Sequence, residues 1–249
     1  MELFFLNSVL IILGGCLGSF ASMLIYRLPR MTKSLNIFYP RPFCPKCKTK
    51  LSIFQLIPFL SYFLNAGKCR SCEKRIRISY LINEFIIACF VLYIMNQIAW
   101  NNLTAFFIIA SIFIMYVQSV MDLETLLLSK PLSIMLVCLG LSLNISQELF
   151  TIPIDALLGL IFGCGILFSI NLLHKLIRAT DVIDSGDYLL LGGIGATFGA
   201  SAIGPILLIG SSITLTLYAI KKDRNEEIPL GFGLGLAGIL YCLLFISNY

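Results

Sequence analysis

Residues 3–30 read LFFLNSVLIILGGCLGSFASMLIYRLPR. No charge interrupts Leu3 to Tyr26, enough to exceed the roughly 20 apolar residues that a helix needs to cross bilayer hydrocarbon, and the run stops at Arg27 and Arg30. An apolar span closed on one side by arginines predicts a membrane helix and its orientation, because Lys and Arg collect on the cytoplasmic side. A signal peptide is the competing reading, and Leu13-Gly14-Gly15-Cys16 is similar to a lipoprotein processing box. The start Met1-Glu2-Leu3 has no basic residue, however, and the apolar run continues past Cys16 to Ile25, so the sequence predicts a retained span.

The rest of the chain repeats the pattern. Of 249 residues, 58% are hydrophobic and 12% charged, with a mean hydropathy of +0.93. Soluble domains carry about a quarter charged residues, so the composition excludes a water-soluble globular enzyme. Apolar runs predict helices over Leu3–Ile25, Leu81–Ile98, Leu103–Met121, Pro131–Ile145, Pro153–Leu176, Tyr188–Ala200, Pro205–Ile220 and Leu230–Ile246. The expected fold is an all-α polytopic membrane protein of about eight transmembrane helices, with a small cytoplasmic zinc-ribbon-like domain after the first. The expected division is a first helix over residues 1–25, a basic cytoplasmic domain over 26–80 and a seven-helix membrane core over 81–249.

Charge placement supports that topology. Twelve of the eighteen Lys and Arg lie between Arg27 and Arg77, opposed only by Glu73, a local net charge of +11; the remainder of the chain carries −6. Such an island is one signature of nucleic-acid binding, but beside a membrane span it is better read as cytoplasmic retention, with no nucleic-acid partner expected. Eight alternating spans place Lys130, Lys175, Arg178, Lys221, Lys222 and Arg224 on the same side, and both termini outside.

Five cysteines (Cys16, Cys89, Cys138, Cys164 and Cys242) are scattered through apolar runs, where cysteine behaves as a small hydrophobe. The other four form Cys44-Pro45-Lys46-Cys47 and Cys69-Arg70-Ser71-Cys72, two CxxC pairs separated by 21 residues. That spacing offers four thiolates to one tetrahedral Zn2+. On the cytoplasmic side thiols stay reduced, which disfavours disulfides, and a loop too small for a core gains folding free energy from a metal. Cys44, Cys47, Cys69 and Cys72 are therefore the expected ligands of a structural zinc, and a closed set of four leaves no catalytic position.

Acids at the edges of membrane helices are costly and informative. Asp122 ends the third apolar run in Val120-Met121-Asp122-Leu123-Glu124, and Asp187 opens the sixth in Asp184-Ser185-Gly186-Asp187-Tyr188. On the alternating topology both reach the cytoplasmic edge. Two carboxylates brought together share a proton, as in aspartyl proteases, where one takes a proton from water and the other polarises the scissile carbonyl. From the acids alone, capping of helix ends explains them equally well. Asp181, Asp184 and Glu124 are solvated loop charges or an acidic rim for a basic substrate segment.

Taken together, these residues resemble the type IV prepilin peptidases, membrane aspartyl proteases of the GxGD type. Gly18-Ser19-Phe20-Ala21-Ser22-Met23-Leu24-Ile25-Tyr26-Arg27-Leu28-Pro29 is similar to that family's entry into its cytoplasmic domain, and the CxxC pairs, Ile57-Pro58-Phe59-Leu60-Ser61-Tyr62, Gly67-Lys68-Cys69-Arg70 and Glu84 follow in order. The resemblance implies that Asp122 and Asp187 are catalytic. It also implies that prepilins or pseudopilins are cut after a glycine at the cytoplasmic face of the bacterial inner membrane. The new N-terminus would then be methylated from S-adenosylmethionine, a step associated with the cytoplasmic domain; no residue is assigned to that cofactor. Departures from the family pattern are Asp184 for the first Gly of GxGD, Leu189 for a Lys, Ser22 for an Asn, Glu124 for an Asp and Leu128-Ser129-Lys130 for LPD. They bear on substrate preference more than on cleavage, which needs only the pair.

Gly233-Leu234-Gly235-Leu236-Ala237-Gly238 fits GxGxxG but follows no strand, so it, like Gly231 with Gly235 and Gly195 with Gly199, predicts close helix packing. His174 reads as an interfacial residue. The rival functions are an ion or proton transporter using Asp122 and Asp187, and a non-catalytic zinc-ribbon membrane adaptor.

Overall fold

The computed structural model describes residues 2–32, 35–98, 102–181, 183–220 and 228–247; Lys33, Lys221, Lys222 and Arg224 of the basic set lie outside them. The chain forms two compact units, Met1–Ala99 and Trp100–Tyr249. Apart from isolated bridges Phe43 to Lys50 and Lys68 to Arg75, the regular structure of the described residues is helical.

The first unit contains α1 (Glu2–Arg27), the short α2 (Leu60–Leu64) and α3 (Ser79–Gln97). Helices α1 and α3 pack antiparallel because glycines remove the side chains between them. A Cβ at Gly14 would lie 2.6 Å from Ala88 Cα, and one at Gly18 would lie 2.7 Å from the Asn83 carbonyl oxygen. This is the small-xxx-small packing of membrane helices, in which backbones approach and gain dispersion contact. Polar groups add to the seam: Asn83 Nδ2 donates to Ser22 Oγ at 3.0 Å. Buried Glu84 accepts the Phe59 amide at 2.8 Å. That bond holds Phe59 at φ 60°, where a non-glycine backbone is rarely found.

The second unit comprises α4 (Asn102–Thr125), α5 (Lys130–Gln147), α6 (Pro153–Arg178), α7 (Ser185–Phe198), α8 (Ala200–Ile220) and α9 (Leu230–Ser247). Helix α7 is surrounded. Gly159 and Gly195 meet backbone to backbone between α6 and α7, while Gly163 of α6 faces Leu191 and Gly140 of α5 faces Thr197. These contacts set α7 antiparallel to α6 and parallel to α5. On α9, Gly231, Gly235 and Gly238 fall successively against Asp122, Ser119 and Met115 of α4, an antiparallel seam. The GxGxxG stretch is thus a packing stripe, as expected.

All eight apolar runs are helical, and six of the described helices are long and apolar enough to cross a membrane: those starting at Phe4, Ser79, Leu103, Pro153, Ala200 and Leu230. Helix α7, with 14 residues, spans about 21 Å, short of a hydrocarbon layer of about 30 Å. One expected boundary is corrected. The break expected between the runs ending at Ala200 and starting at Pro205 is not a loop: α8 begins at Ala200, and Gly199 alone, at φ 87°, separates it from α7. Pro205 sits inside α8, where its missing N–H removes one helical bond without ending the helix.

Candidate active site and metal centre

Two matched turns form the cysteine cluster. In the first, the Cys44 amide donates to the Thr49 carbonyl at 2.9 Å and the Lys48 amide to the Cys44 carbonyl at 2.8 Å; in the second, Cys69 donates to Lys74 at 3.0 Å and Glu73 to Cys69 at 2.9 Å. Lys48 and Glu73 take equivalent left-handed conformations, φ 58° and 55°. The repeat of one turn at both pairs brings the four sulfurs within 4.8 Å of one another, Cys47 and Cys69 being 3.9 Å apart. Tetrahedral Zn2+ with Zn–S bonds near 2.3 Å needs sulfurs about 3.8 Å apart, so the donor set fits the ion with a small contraction. The Thr49 hydroxyl, then its amide, favour the Cys47 thiolate and bring it down to about 6. Backbone amides of Cys72 and Ser71 lower Cys69. Thiolates are the form that binds metal.

Asp122 lies one turn before the end of α4 and is 5% exposed; Asp187 lies in the first turn of α7 and is 9% exposed. Both belong to the second unit, and their charges interact. Their local roles differ. Asp122 Oδ2 accepts the Phe232 amide at 2.8 Å, so it caps the N-terminus of α9 from another helix. The Asp187 carboxylate faces the Asp184 backbone amide at the start of its own helix. The cap of α7 is Asp184, whose Oδ2 accepts the Gly186 amide at 3.2 Å. Helix-end capping is thus seen for Asp122, through α9, while at α7 the N-cap residue is Asp184.

Leu128 fills the space between the two helix starts. A methyl on Gly186 would come within 2.7 Å of Leu128 Cβ, and one on Gly231 within 2.8 Å of Leu128 Cδ1 and 3.1 Å of Asp122 Oδ2. Both glycines next to the aspartates are thus required by close approach.

Two side chains without a role in the sequence analysis, Gln118 and Asn171, organise the segments around these sites. Gln118, fully buried one turn before Asp122, donates to the Ser129 carbonyl at 3.1 Å and to Ser133 Oγ at 2.6 Å, and accepts the Ser129 amide at 2.8 Å. It pins the segment carrying Leu128. An amide at i−4 from an acid in an apolar helix was the available signal. Asn171 accepts the Ile183 amide at 3.1 Å and donates to Asp181 at 3.0 Å. Asp181 also pairs with Lys175 at 2.9 Å. Asp181 and Asp184 are thereby engaged in loop and cap structure rather than standing as a free rim; Glu124 is exposed. His174 Nδ1 lies 3.1 Å from the Thr180 carbonyl in the same loop. Arg27, counted above as a topology signal, is only 3% exposed and serves the first unit structurally.

Fold and site together define a class: a polytopic helical membrane protein with a four-thiol cluster in one unit and two interacting, buried aspartates in the other. The model of the Bacterial Peptidase A24 N-terminal domain matches residues 12–98, and that of the Type IV leader peptidase family matches residues 106–220. The chain is 31% identical over 225 residues to a prepilin leader peptidase/N-methyltransferase of Vibrio cholerae, covering 86% of this chain and 87% of that one. It is 29% identical to proteins of the same name from Neisseria gonorrhoeae, covering 95% and 89%, and from Pseudomonas aeruginosa, covering 92% and 87%. No solved structure matches. The chain belongs to the type IV leader peptidase family.

Proposed function

We propose that this protein cleaves the leader peptide of type IV prepilins or pseudopilins with the Asp122 and Asp187 pair, and then methylates the new N-terminus. The observation that carries the reading is the placement of two interacting carboxylates at the starts of α9 and α7, with a separate residue, Asp184, taking the capping role at α7. The Phe232 and Gly231 amides hold the Asp122 carboxylate, which takes a proton from the attacking water. Asp187 holds the shared proton and donates it to the scissile carbonyl; on collapse of the tetrahedral diol the proton that Asp122 took from water passes to the leaving amine, and Asp187 recovers one from a diol hydroxyl. Leu128, between Gly186 and Gly231, excludes water from the flank of the pair. An ion or proton transporter would need its acids near mid-span; these lie at helix ends.

Cys44, Cys47, Cys69 and Cys72 would hold zinc, which supplies cross-linking of the two turns and no chemistry at the aspartates. S-adenosylmethionine supplies the methyl group in the proposed second step. Helix directions within each unit agree with alternating spans, and the charge pattern supports an inner-membrane protein with both termini outside and the basic unit and aspartates at the cytoplasmic face. The proposed domains are the first helix over 1–25, the basic zinc domain over 26–80 and the peptidase core over 81–249. Incubating the purified protein with a prepilin and S-adenosylmethionine should give a product lighter by the leader and heavier by one methyl group; substrate of unchanged mass would sink the reading.

A further inference from the structure

The segment between α1 and the first cysteine pair is built firmly, and it presents two rings that touch little. Arg27, the last residue of α1, donates through Nη1 to the Asn36 and Ile37 carbonyls at 2.8 and 3.0 Å and through Nη2 to Pro40 at 2.6 Å. Its guanidinium lies 5.9 Å from the Phe43 ring. The Asn36 side-chain oxygen accepts the Phe38 and Tyr39 amides at 2.9 and 2.6 Å, and the Asn36 amide donates to the Tyr39 carbonyl at 2.8 Å. Six hydrogen bonds thus fix a short turn. On that turn Phe38 is 92% exposed and Tyr39 69%.

Ordering backbone in order to show aromatic rings to water makes no physical sense for a linker. The position of the turn resolves it. The membrane-spanning stretch that includes α1 runs from Phe4 to Arg30, so Arg27 lies at the level of the lipid headgroups, and the carbonyls within 3.0 Å of it lie there too. Exposed Arg30 and Arg41 flank the turn and match lipid phosphates in charge. Aromatic side chains concentrate at this depth because ring and polar edge meet apolar and wet surroundings together.

We propose that Phe38 and Tyr39 are a membrane-interface anchor, seated in the headgroup layer of the bilayer that α1 crosses and holding the basic unit against it. The proposal rests on α1 as a membrane span and is independent of the aspartates. To test it, the full chain carrying Phe38→Trp is reconstituted in vesicles of phosphatidylcholine and phosphatidylglycerol, with acyl chains either unlabelled or brominated close to the glycerol. The wild-type chain, whose one tryptophan is Trp100, supplies the blank, and Tyr39→Trp is the second probe. The expected difference emission is shifted to the blue of aqueous indole and loses intensity in the brominated vesicles. Emission at the aqueous position, indifferent to bromination, would overturn the proposal. A blue shift without quenching would also overturn it, since a protein surface such as a second copy would then cover the rings.

Discussion

Asp122 of α4 accepts a hydrogen bond at 2.8 Å from the amide of Phe232, 110 residues further along the chain. The bond ties one proposed catalytic carboxylate to the start of α9, where the helix dipole favours negative charge. It works only because Gly231 has no side chain.

Gly231→Ala follows directly. The added methyl would lie 3.1 Å from Asp122 Oδ2 and 2.8 Å from Leu128 Cδ1, so the carboxylate or the leucine must move. A displacement of about 1 Å costs on the order of 10²-fold in rate. Turnover of a prepilin by the purified variant should fall by about that factor while the protein still inserts.

Asp184 separates capping from charge. Asp184→Ala removes the bond to the Gly186 amide and should destabilise the start of α7 by about 1 kcal/mol, lowering the thermal midpoint in detergent. Asp184→Asn keeps a side-chain acceptor and should remain close to wild type in stability.

Gln118 should prove less replaceable than its place in an apolar helix suggests. Gln118→Ala leaves the Ser129 amide and carbonyl and the Ser133 hydroxyl without their partner. Each unmet buried group costs about 1–3 kcal/mol. Lower stability together with reduced cleavage is expected, and unchanged values of both would contradict the role given to the Leu128 segment.

Metal analysis of the purified chain should find about one zinc per molecule, and none in the double variant Cys44→Ser, Cys69→Ser. With the metal gone the two turns lose their cross-link, and limited proteolysis between Arg41 and Arg77 should quicken.

Much of this architecture was legible because lipid and water sort side chains strongly. All eight apolar runs are helices, and the two CxxC pairs converge on one cluster. Hydropathy does not distinguish lipid from protein interior, however. Nothing in the composition of α7 says that four other helices pack against it, or that Gly159 meets Gly195. The same limit hid Arg27. In charge counting it is one of twelve cations, whereas in the fold it is buried and satisfies three carbonyls. Asp187 can be read from the sequence as a cap or as a reactive acid, and nothing in the sequence says that Asp184 occupies the N-cap position of α7.

The central claim is that Asp122 and Asp187 perform the cleavage as a pair. Asn keeps the shape of each side chain but cannot exchange the proton that hydrolysis requires. Cleavage of a prepilin by purified Asp122→Asn and Asp187→Asn, each first checked for insertion and zinc content, is the most direct measurement. Loss of leader removal in both variants is the predicted result, and wild-type cleavage by either one would contradict the account.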